Sequence, residues 1–320
     1  MKVSNNFTII FGELFYSEII LGYFNIIVMK ILVIILTSCQ LNFLKLCFDS
    51  VINQKNTILD YDIVININTL DEKYYSDVVK YFSHVHDHNL KLIKTTSNGR
   101  PGKGHNSCLE YFRSTKYDYL IMIDGDDLFY PYAFFRLEHI IWNNLISVNL
   151  YGHDSFEVDH NIMTCTKDES CPKINYNFGI KLKRNRPQHP MNANYTITKM
   201  ANNNPYIHGI GNLGCTGTPT RMICVGRDVF ELIDKYSGLY DEDFYVYDDM
   251  KVFLAMFNES AKKRIIFLYD EHIYLYNHCN RHSVSHSSNN SDIELFNRKK
   301  YFDIFPNTKD WNLGMINIIS

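Results

Sequence analysis

The sequence lacks any strong excess of charge of one sign. Its 320 residues include 32 lysines and arginines against 35 aspartates and glutamates, for a formal net charge of −3. A chain this close to neutrality has no overall basic field to attract nucleic acid, and it has no polybasic run of the kind that binds membrane surfaces. We therefore expect a protein with no nucleic-acid partner.

Paired cysteines are also missing. The eight cysteines are scattered, and none forms a C-x-x-C pair, which argues against a zinc ribbon. A disulfide framework is typical of short secreted chains and fits a chain of this length poorly. We predict reduced thiols and a cytoplasmic protein, with Cys165 and Cys171, which lie close together in sequence, as a minor exception.

No complete targeting signal is present at the N-terminus. Residues 7–36 are mostly apolar, but Lys2 is the only early base and no A-x-A cleavage site follows. The run "MKILVIILTS", which begins at Met29, resembles the start of an α/β domain that opens on a buried strand. We predict that residues 1–28 are an upstream extension. The alternative of a weak packing or membrane helix, with membrane contact through residues 7–28, stays open.

Apolar runs of strand length alternate with amphipathic helical segments from residue 30 onward. The strand-like runs are "KILVIILTS", "YDIVININT", "LKLIKTT" and "YDYLIMID", and the intervening segments carry apolar residues at helical spacing. This alternation predicts βαβ units and a mainly parallel sheet. We expect one domain over residues 29–285 and a C-terminal tail over residues 286–320. Residues 150–220, rich in Asn, Pro, Gly and Lys, are predicted to be lids or binding loops.

Three carboxylates crowd directly after the fourth predicted strand, in "YDYLIMIDGDDLFYP". The charges of Asp124, Asp126 and Asp127 repel one another unless a cation lies between them. Ligands of parallel sheets bind at the carboxyl ends of strands, and oxygen ligands favour Mg²⁺ or Mn²⁺, which also bind phosphate oxygens. This D-x-D pattern therefore predicts a metal that holds a diphosphate. The alternative is a solvated acidic turn, since Asp and Gly form turns in any case.

A glycine-rich segment precedes that strand. In "NGRPGKGHNSCLEYF", three glycines and a proline surround Arg100 and Lys103, and a helical pattern follows. This arrangement predicts a loop whose backbone approaches an anion closely, and the alternative is a plain flexible connection. The segment is neither a Walker A loop nor a G-x-G-x-x-G fingerprint, which disfavours an NTPase or a dehydrogenase.

Together these two segments resemble the N-G-G-x-x-x-A-R-N-x-G stretch and the D-x-D-D strand end of family 2 glycosyltransferases with the GT-A fold. Four further segments resemble the family in the same order: "ILVIILTS", "VININTLD", "GLYDEDFYVYDDMKVFLAMF" and "LYNHCNRHSVS". The resemblance spans about residues 30–285. It implies an α/β GT-A fold with a mainly parallel central sheet and flanking helices. It also implies a hexosyltransferase-like glycosyltransferase that uses Mn²⁺ or Mg²⁺.

The resemblance implies a donor site for a nucleotide-diphosphate sugar, with a UDP-sugar as the first candidate. Thr37 and Ser38 would line the pocket for the nucleotide base, and Asn66 would read the uracil or the ribose. Arg100 and Lys103 would lie beside the diphosphate.

The same resemblance divides the work of the three carboxylates. Asp124 would contact the ribose and the metal shell, and Asp126 would bind the metal with Asp127 nearby. The metal would stabilise the departing nucleoside diphosphate as a Lewis acid.

Acceptor chemistry is implied by the downstream segments. Asp249, the second member of an E-D-like pair, would be the general base on the hydroxyl of a glycan or protein acceptor. Asp248 and His282 are assigned to the donor side, His282 over the diphosphate. The family implies one in-line displacement with inversion at the sugar carbon and no covalent enzyme intermediate.

Four positions depart from the family pattern. Asn66 stands where the family has an Asp, His105 and Asn277 where it commonly has Arg, and Asp248 where it has Glu. None of these changes removes an essential carboxylate, so we expect an active enzyme.

Two other functional classes remain as alternatives. A nucleotidyltransferase that makes nucleotide sugars would have a glycine- and arginine-containing loop near the first strand, and "LTSCQLN" contains neither residue. A catalytically silent nucleotide-sugar or carbohydrate-binding module would keep the fold and lose the transfer.

Overall fold

Strands and helices alternate along the described part of the chain. The computed structural model describes residues 29–86, 89–141, 147–151, 154–158, 180–183, 220–243, 251–252, 255, 265–269 and 273–277. In chain order the elements are β1 (Ile31–Thr37), α1 (Leu41–Ile52), β2 (Tyr61–Asn68), α2 (Glu72–Phe82), β3 (Lys91–Thr95), α3 (Pro101–Arg113), β4 (Tyr119–Asp124), β5 (Leu128–Phe129), α4 (Ala133–Ile141), β6 (Ser147–Tyr151), β7 (Asp154–Val158), β8 (Ile180–Lys183), β9 (Thr220–Gly226), α5 (Val229–Tyr236), β10 (Ile265–Tyr269) and β11 (Tyr274–Asn277).

The main sheet has seven strands in the order β10-β6-β9-β4-β1-β2-β3. β1 pairs in parallel with both β2 and β4, and the β2–β3 and β6–β10 pairs are also parallel. Only β9, within this sheet of described strands, runs antiparallel to its neighbours β4 and β6. The mainly parallel α/β sheet predicted from the alternation is confirmed.

β1 is apolar without interruption because both of its faces are covered. Ile31, Val33 and Ile35 pack into the core on the side of α1, α2 and α4. Leu32 and Ile34 pack into a second core on the side of α3 and α5. Burying each such side chain contributes about 1.5–3 kcal/mol, so a strand with no solvent-facing side favours a continuous Ile, Leu and Val run.

A second, four-stranded sheet has the order β5-β11-β7-β8. β5 follows the carboxylate-bearing turn directly and pairs antiparallel with β11. β7 and β8 come from residues 150–220, the part predicted to form lids or loops. The described residues of that part lie in strands. β7 pairs with β11 and with β8, and the spacing of residues in the sequence does not predict these pairings.

The glycine-rich segment before β4 is helical over more of its length than the sequence predicts. α3 begins at Pro101, whose fixed φ suits the first helical position. Gly104 therefore lies inside the helix, where a Cβ would come within 2.5 Å of the Asn68 side-chain nitrogen. This glycine brings the helix close to β2, a role different from the predicted loop around an anion.

The described cysteines agree with the prediction of reduced thiols. Cys39, Cys47, Cys108 and Cys224 are all free, and only Cys39 among these four is exposed. The other four cysteines of the sequence lie outside the described residues.

Both ends of the chain lie outside the described residues. The interpretations of residues 1–28 as an extension and of residues 286–320 as a tail stay predictions, as do the domain bounds 29–285. Among the helices that the structure describes, none is both long and apolar enough to span a bilayer.

Candidate functional site

The predicted site lies where β1 and β4 end side by side. Leu36 pairs in register with Asp124, and the N–H of Gly125 donates a hydrogen bond of 2.7 Å to the Leu36 carbonyl oxygen. A Cβ on Gly125 would lie 2.8 Å from the Cβ of Thr37. The turn that carries the carboxylates is thus packed against the end of β1, at the edge where open α/β sheets bind ligands.

Asp124 is held by a histidine. The side chain of Asp124 is 20% exposed, and its Oδ1 lies 2.9 Å from Nε2 of His105. The His105 ring stacks on the ring of Tyr240, with centroids 4.5 Å apart and planes 19° apart. Asp124 therefore occupies the predicted edge, with its orientation set by α3.

Asp126 belongs to the same turn and is half-buried. Its negative charge reaches the thiols of Cys39 and Cys47 and the hydroxyl of Tyr74. Cys39 is exposed as a residue, but its sulfur is partly buried. This partial burial raises the pKa of the Cys39 thiol, and the charge of Asp126 raises it further, against a hydrogen bond from Ser38 that lowers it. Burial likewise raises the pKa of the Tyr74 hydroxyl, and Asp126 adds to that shift. Asp126 is therefore close to the loop that follows β1.

Asp127 has a different environment from the other two carboxylates. It is 0% exposed, its Oδ1 accepts a hydrogen bond of 2.7 Å from the Asn277 N–H, and its Oδ2 accepts one from the Tyr274 hydroxyl. Both oxygens tie the turn to β11. These contacts disfavour the predicted metal role of Asp127.

The described residues contain no preformed site with three or more metal ligands. No group of three or more His, Cys, Asp or Glu side chains in that part of the chain is arranged to hold a metal ion. Because Asp127 faces the interior, the structure brings together two of the three predicted metal ligands, Asp124 and Asp126.

Asn66 faces the protein interior. It is 0% exposed, its Nδ2 donates a hydrogen bond of 2.9 Å to Ser107 Oγ, and its Oδ1 accepts one of 2.6 Å from Thr95 Oγ1. The side chain thereby links β2 to α3 and β3. These contacts disfavour its predicted role as the reader of uracil or ribose.

Thr37 and Ser38 end β1 in different ways. The Thr37 side chain is buried and shares a hydrogen bond with the hydroxyl of Tyr74 on α2. Ser38, the next residue, is exposed, as is Cys39. Of the two residues predicted to line a base pocket, Thr37 is therefore buried and Ser38 is exposed.

Arg100 and Lys103 stand at the start of α3. Arg100 is half-buried, and its guanidinium donates a hydrogen bond to the backbone oxygen of Asp243. Lys103 is exposed in the first turn of the helix. Both cations therefore lie at the N-terminus of α3, the end of a helix that attracts anions. Arg100 also binds a segment that is distant in the sequence.

That distant segment, Gly238 to Asp243, is fastened to α3 mainly by Asn106. Nδ2 of Asn106 donates to the Tyr240 carbonyl oxygen at 3.0 Å and to the Glu242 carboxylate at 2.9 Å. The Tyr240 N–H donates back to Asn106 Oδ1 at 3.1 Å. The segment that begins the stretch resembling the family's G-x-F-D-E … E-D-x-x-L motif is thus held beside α3.

Three of the predicted residues cannot be placed. Asp248, Asp249 and His282 lie outside the described residues, so their roles stay predictions.

Sequence reasoning missed the contacts that organise the site. The sequence marks His105 only as a departure from the family's Arg and gives no sign that Asn106 or Tyr240 contributes to the site. The sequence contains no local signal for these contacts, because the helix and the segment that meet here are more than 130 residues apart.

Two solved structures resemble this fold. The S. aureus TarS complex with UDP-GlcNAc shares 16% identity at a TM-score of 0.46, covering 81% of this chain and 62% of that chain. The mannosyltransferase PcManGT from Pyrobaculum calidifontis, in complex with GDP-Man and Mn²⁺, shares 15% identity at a TM-score of 0.45, covering 80% and 58%. This chain thus spans less than two thirds of either protein. Similarity at this level carries no argument about substrate.

A family comparison gives a firmer result. None of the curated proteins matches the sequence. The model of the family described as Glycosyl transferase family 2 matches residues 32–194, just over half of the chain. The matched range contains β1, α3 and the Asp124–Asp127 turn, and it ends before the segment around Tyr240. The chain therefore belongs to glycosyl transferase family 2, with the mainly parallel α/β architecture of the GT-A fold.

Proposed function

We propose that this glycosyltransferase is metal-dependent and inverting, and that it moves a sugar from a nucleotide-diphosphate donor to a hydroxyl of a glycan or protein acceptor. The observation that carries the proposal is the placement of Asp124 and Asp126, half-buried, at the carboxyl end of β4 beside the end of β1. Ionised carboxylate oxygens accept hydrogen bonds and cannot donate them. At this edge of the sheet they therefore suit an anionic ligand that binds together with a cation.

Asp124 and Asp126 fit a hard divalent cation. Mg²⁺ and Mn²⁺ bind through one or two protein carboxylates and take their remaining ligands from water and phosphate oxygens. A site with two half-buried carboxylates and no third protein ligand in the described residues has that composition. The ion, when bound, would supply positive charge to stabilise the departing nucleoside diphosphate.

The positive end of α3 supports binding of the diphosphate. Arg100 is the N-cap of this helix and Lys103 lies in its first turn, where the helix dipole and unpaired N–H groups also favour anions. Ser38 and Cys39 would face the base, and Asp124 the ribose. We take a UDP-sugar as the first candidate donor, as the resemblance to the family implies, and GDP-Man as the second donor to be tested.

The transfer step needs a base on the acceptor side. Asp249 would take the proton of the acceptor hydroxyl as its oxygen attacks the sugar carbon, and the bond to the diphosphate oxygen would break on the opposite face. Asp248 and His282 would lie towards the diphosphate. One such displacement inverts the configuration of the sugar carbon.

Product analysis tests this proposal. The protein would be incubated with Mn²⁺ and single UDP-sugars or GDP-Man in turn, and the release of free nucleoside diphosphate would be measured. We expect release with at least one donor, its loss in chelator, and a product of inverted configuration by proton NMR. Activity that survives excess chelator would contradict the metal requirement.

Variants separate the roles within the site. Asp126→Asn should remove metal-dependent nucleotide binding. Asp249→Asn should leave nucleotide binding intact and slow transfer by about 10²–10⁴, the usual contribution of a general base. Asp60→Asn, at an exposed position before β2, is the matched control and should change neither.

The rival classes give different products. A nucleotidyltransferase would release pyrophosphate from a nucleoside triphosphate and a sugar phosphate. A silent binding module would bind the nucleotide sugar and release nothing from any donor, in the wild type as in Asp249→Asn.

A further inference from the structure

The imidazole of His105 is enclosed between the carboxylate of Asp124 and the ring of Tyr240. The residue is 8% exposed, its Nε2 lies 2.9 Å from Asp124 Oδ1, and its ring is stacked on Tyr240 at 4.5 Å. An ionised carboxylate can only accept hydrogen bonds, so Nε2 carries the proton in this contact. The histidine is thus a hydrogen-bond donor held against Asp124, a carboxylate of the proposed nucleotide-sugar site.

The stacked ring restricts how His105 can move. A histidine on a helix with a free ring rotates about two side-chain bonds, whereas a ring flat against Tyr240 keeps one plane. Offset stacking of this kind favours a defined separation and orientation of the two rings. Because the hydrogen bond depends on the ring plane, Tyr240 indirectly sets the rotation of the Asp124 carboxylate.

Tyr240 is in turn held by its backbone. Its N–H and its carbonyl oxygen both bond to the side chain of Asn106, at 3.1 and 3.0 Å. Arg100 fastens the same segment three residues later, at the carbonyl oxygen of Asp243. α3 therefore carries both His105 and Asn106, the residue that holds the backbone of Tyr240 so that its ring stacks on the histidine.

We propose that His105 is a positioning residue for the nucleotide donor, and that Tyr240 and Asn106 seat it. The inference rests on the proposed function, because it assumes that the Asp124 carboxylate contacts a nucleotide-sugar donor. His105 acts through Asp124, presenting that carboxylate in one orientation. In the sequence, the segment held against α3 comes shortly before Asp248 and Asp249.

Two substitutions separate the hydrogen bond from the stacked ring. His105→Gln retains a donor near the position of Nε2 and loses the ring, whereas His105→Phe retains a ring against Tyr240 and loses the donor. Binding of UDP and of GDP, each with Mn²⁺, would be measured by calorimetry. We expect His105→Phe to weaken binding about tenfold, the scale of a lost hydrogen bond to a charged group, and His105→Gln to stay within about threefold of wild type.

A third variant tests the hydrogen bonds that hold Tyr240 and leaves His105 unchanged. Asn106→Ala removes the two hydrogen bonds to the Tyr240 backbone and the one to the Glu242 carboxylate. Because these bonds act on His105 only through the Tyr240 ring, we expect nucleotide binding to weaken by only about threefold, the scale of a single neutral hydrogen bond. This variant also decides the matter if His105→Phe does not fold. Leu109→Val, a buried apolar change on the same helix, is the control: it should lower the melting temperature and leave the nucleotide Kd unchanged.

The outcomes distinguish this inference from the proposed function. Wild-type protein that binds neither nucleotide would overturn the proposed donor site and the inference with it. Wild-type protein that binds, while both His105→Phe and Asn106→Ala bind equally well, would overturn the positioning role alone. A fall in affinity that merely tracks the melting temperature, with Leu109→Val on the same line, would also count against it.

Discussion

The carboxylate of Asp127 accepts a hydrogen bond of 2.7 Å from the backbone N–H of Asn277, 150 residues further along the chain. Its other oxygen accepts one from the Tyr274 hydroxyl. The neighbouring Asp126 is half-buried in the same turn. Two adjacent aspartates that look equivalent in the sequence are thus in different environments: Asp127 is buried and bonded to the second sheet, whereas Asp126 is partly exposed.

Substituting these two aspartates should have opposite consequences. Asp127→Ala removes the carboxylate that accepts from the buried Asn277 N–H and from the Tyr274 hydroxyl, which should lower the free energy of unfolding by about 1–3 kcal/mol for each hydrogen bond removed. Asp126→Ala should change stability by less than about 0.5 kcal/mol and abolish metal-dependent nucleotide binding. Urea unfolding and calorimetry measure both. Equal stability of the two variants would contradict the structural role of Asp127.

Gly104 should be intolerant of a side chain only while Asn68 is present. An added Cβ would meet the Asn68 amide at 2.5 Å, so Gly104→Ala alone should destabilise the protein by about 1–3 kcal/mol. In an Asn68→Ala background the closest obstacle is gone, Leu36 Cδ2 at 3.3 Å becomes the tightest remaining contact, and alanine is favoured over glycine inside a helix by about 1 kcal/mol. The two substitutions should therefore be strongly non-additive in urea unfolding. Simple additivity would show that the close approach of α3 to β2 is not the reason for the glycine.

Asn66 should matter for stability and not for the nucleotide. Its Nδ2 and Oδ1 are bonded to Ser107 and Thr95 in the interior, so Asn66→Ala should cost about 1–3 kcal/mol of unfolding free energy. Calorimetry with UDP and Mn²⁺ should give a Kd within about a factor of two of wild type, a change of about 0.4 kcal/mol. A Kd raised tenfold or more in a stably folded variant would restore Asn66 as a ligand-reading residue.

Cys39 should report on the donor site through its reactivity. Burial and the charge of Asp126 raise the pKa of its thiol, so little thiolate is present at pH 7 and alkylation should accelerate as the pH rises towards and beyond 9. Removing the charge in Asp126→Asn lowers that pKa and should speed alkylation at a given pH. Iodoacetamide labelling followed by peptide mass mapping measures the rate at this residue.

Two controls accompany the Cys39 experiment. Cys47, Cys108 and Cys224 are buried and should stay unlabelled in the folded protein. Nucleotide with Mn²⁺ should slow the labelling of Cys39 if the base lies over the end of β1. Labelling that is faster in the wild type than in Asp126→Asn would contradict the electrostatic coupling between the two side chains.

Much of the scaffold could be predicted because it depends on local patterns. The apolar runs of β1, β2 and β4 are long enough to specify strands buried on both faces, and the amphipathic segments between them specify the helices that cover them. A parallel sheet then places every carboxyl end on one edge. The location of Asp124 and Asp126 at that edge follows from the sequence for this reason.

The division of labour among the polar residues depends on tertiary contacts. Asp127 is directed to β11, Asn66 to α3 and β3, and His105 to Asp124 and Tyr240. Each of these contacts joins segments 19 or more residues apart in sequence, and several join segments more than 100 apart. A buried polar group must find a partner wherever the fold brings one, and local pattern does not say which. The sequence alone thus determined the sheet and its ligand-binding edge, and only the folded chain decided which side chains face that edge and which support it.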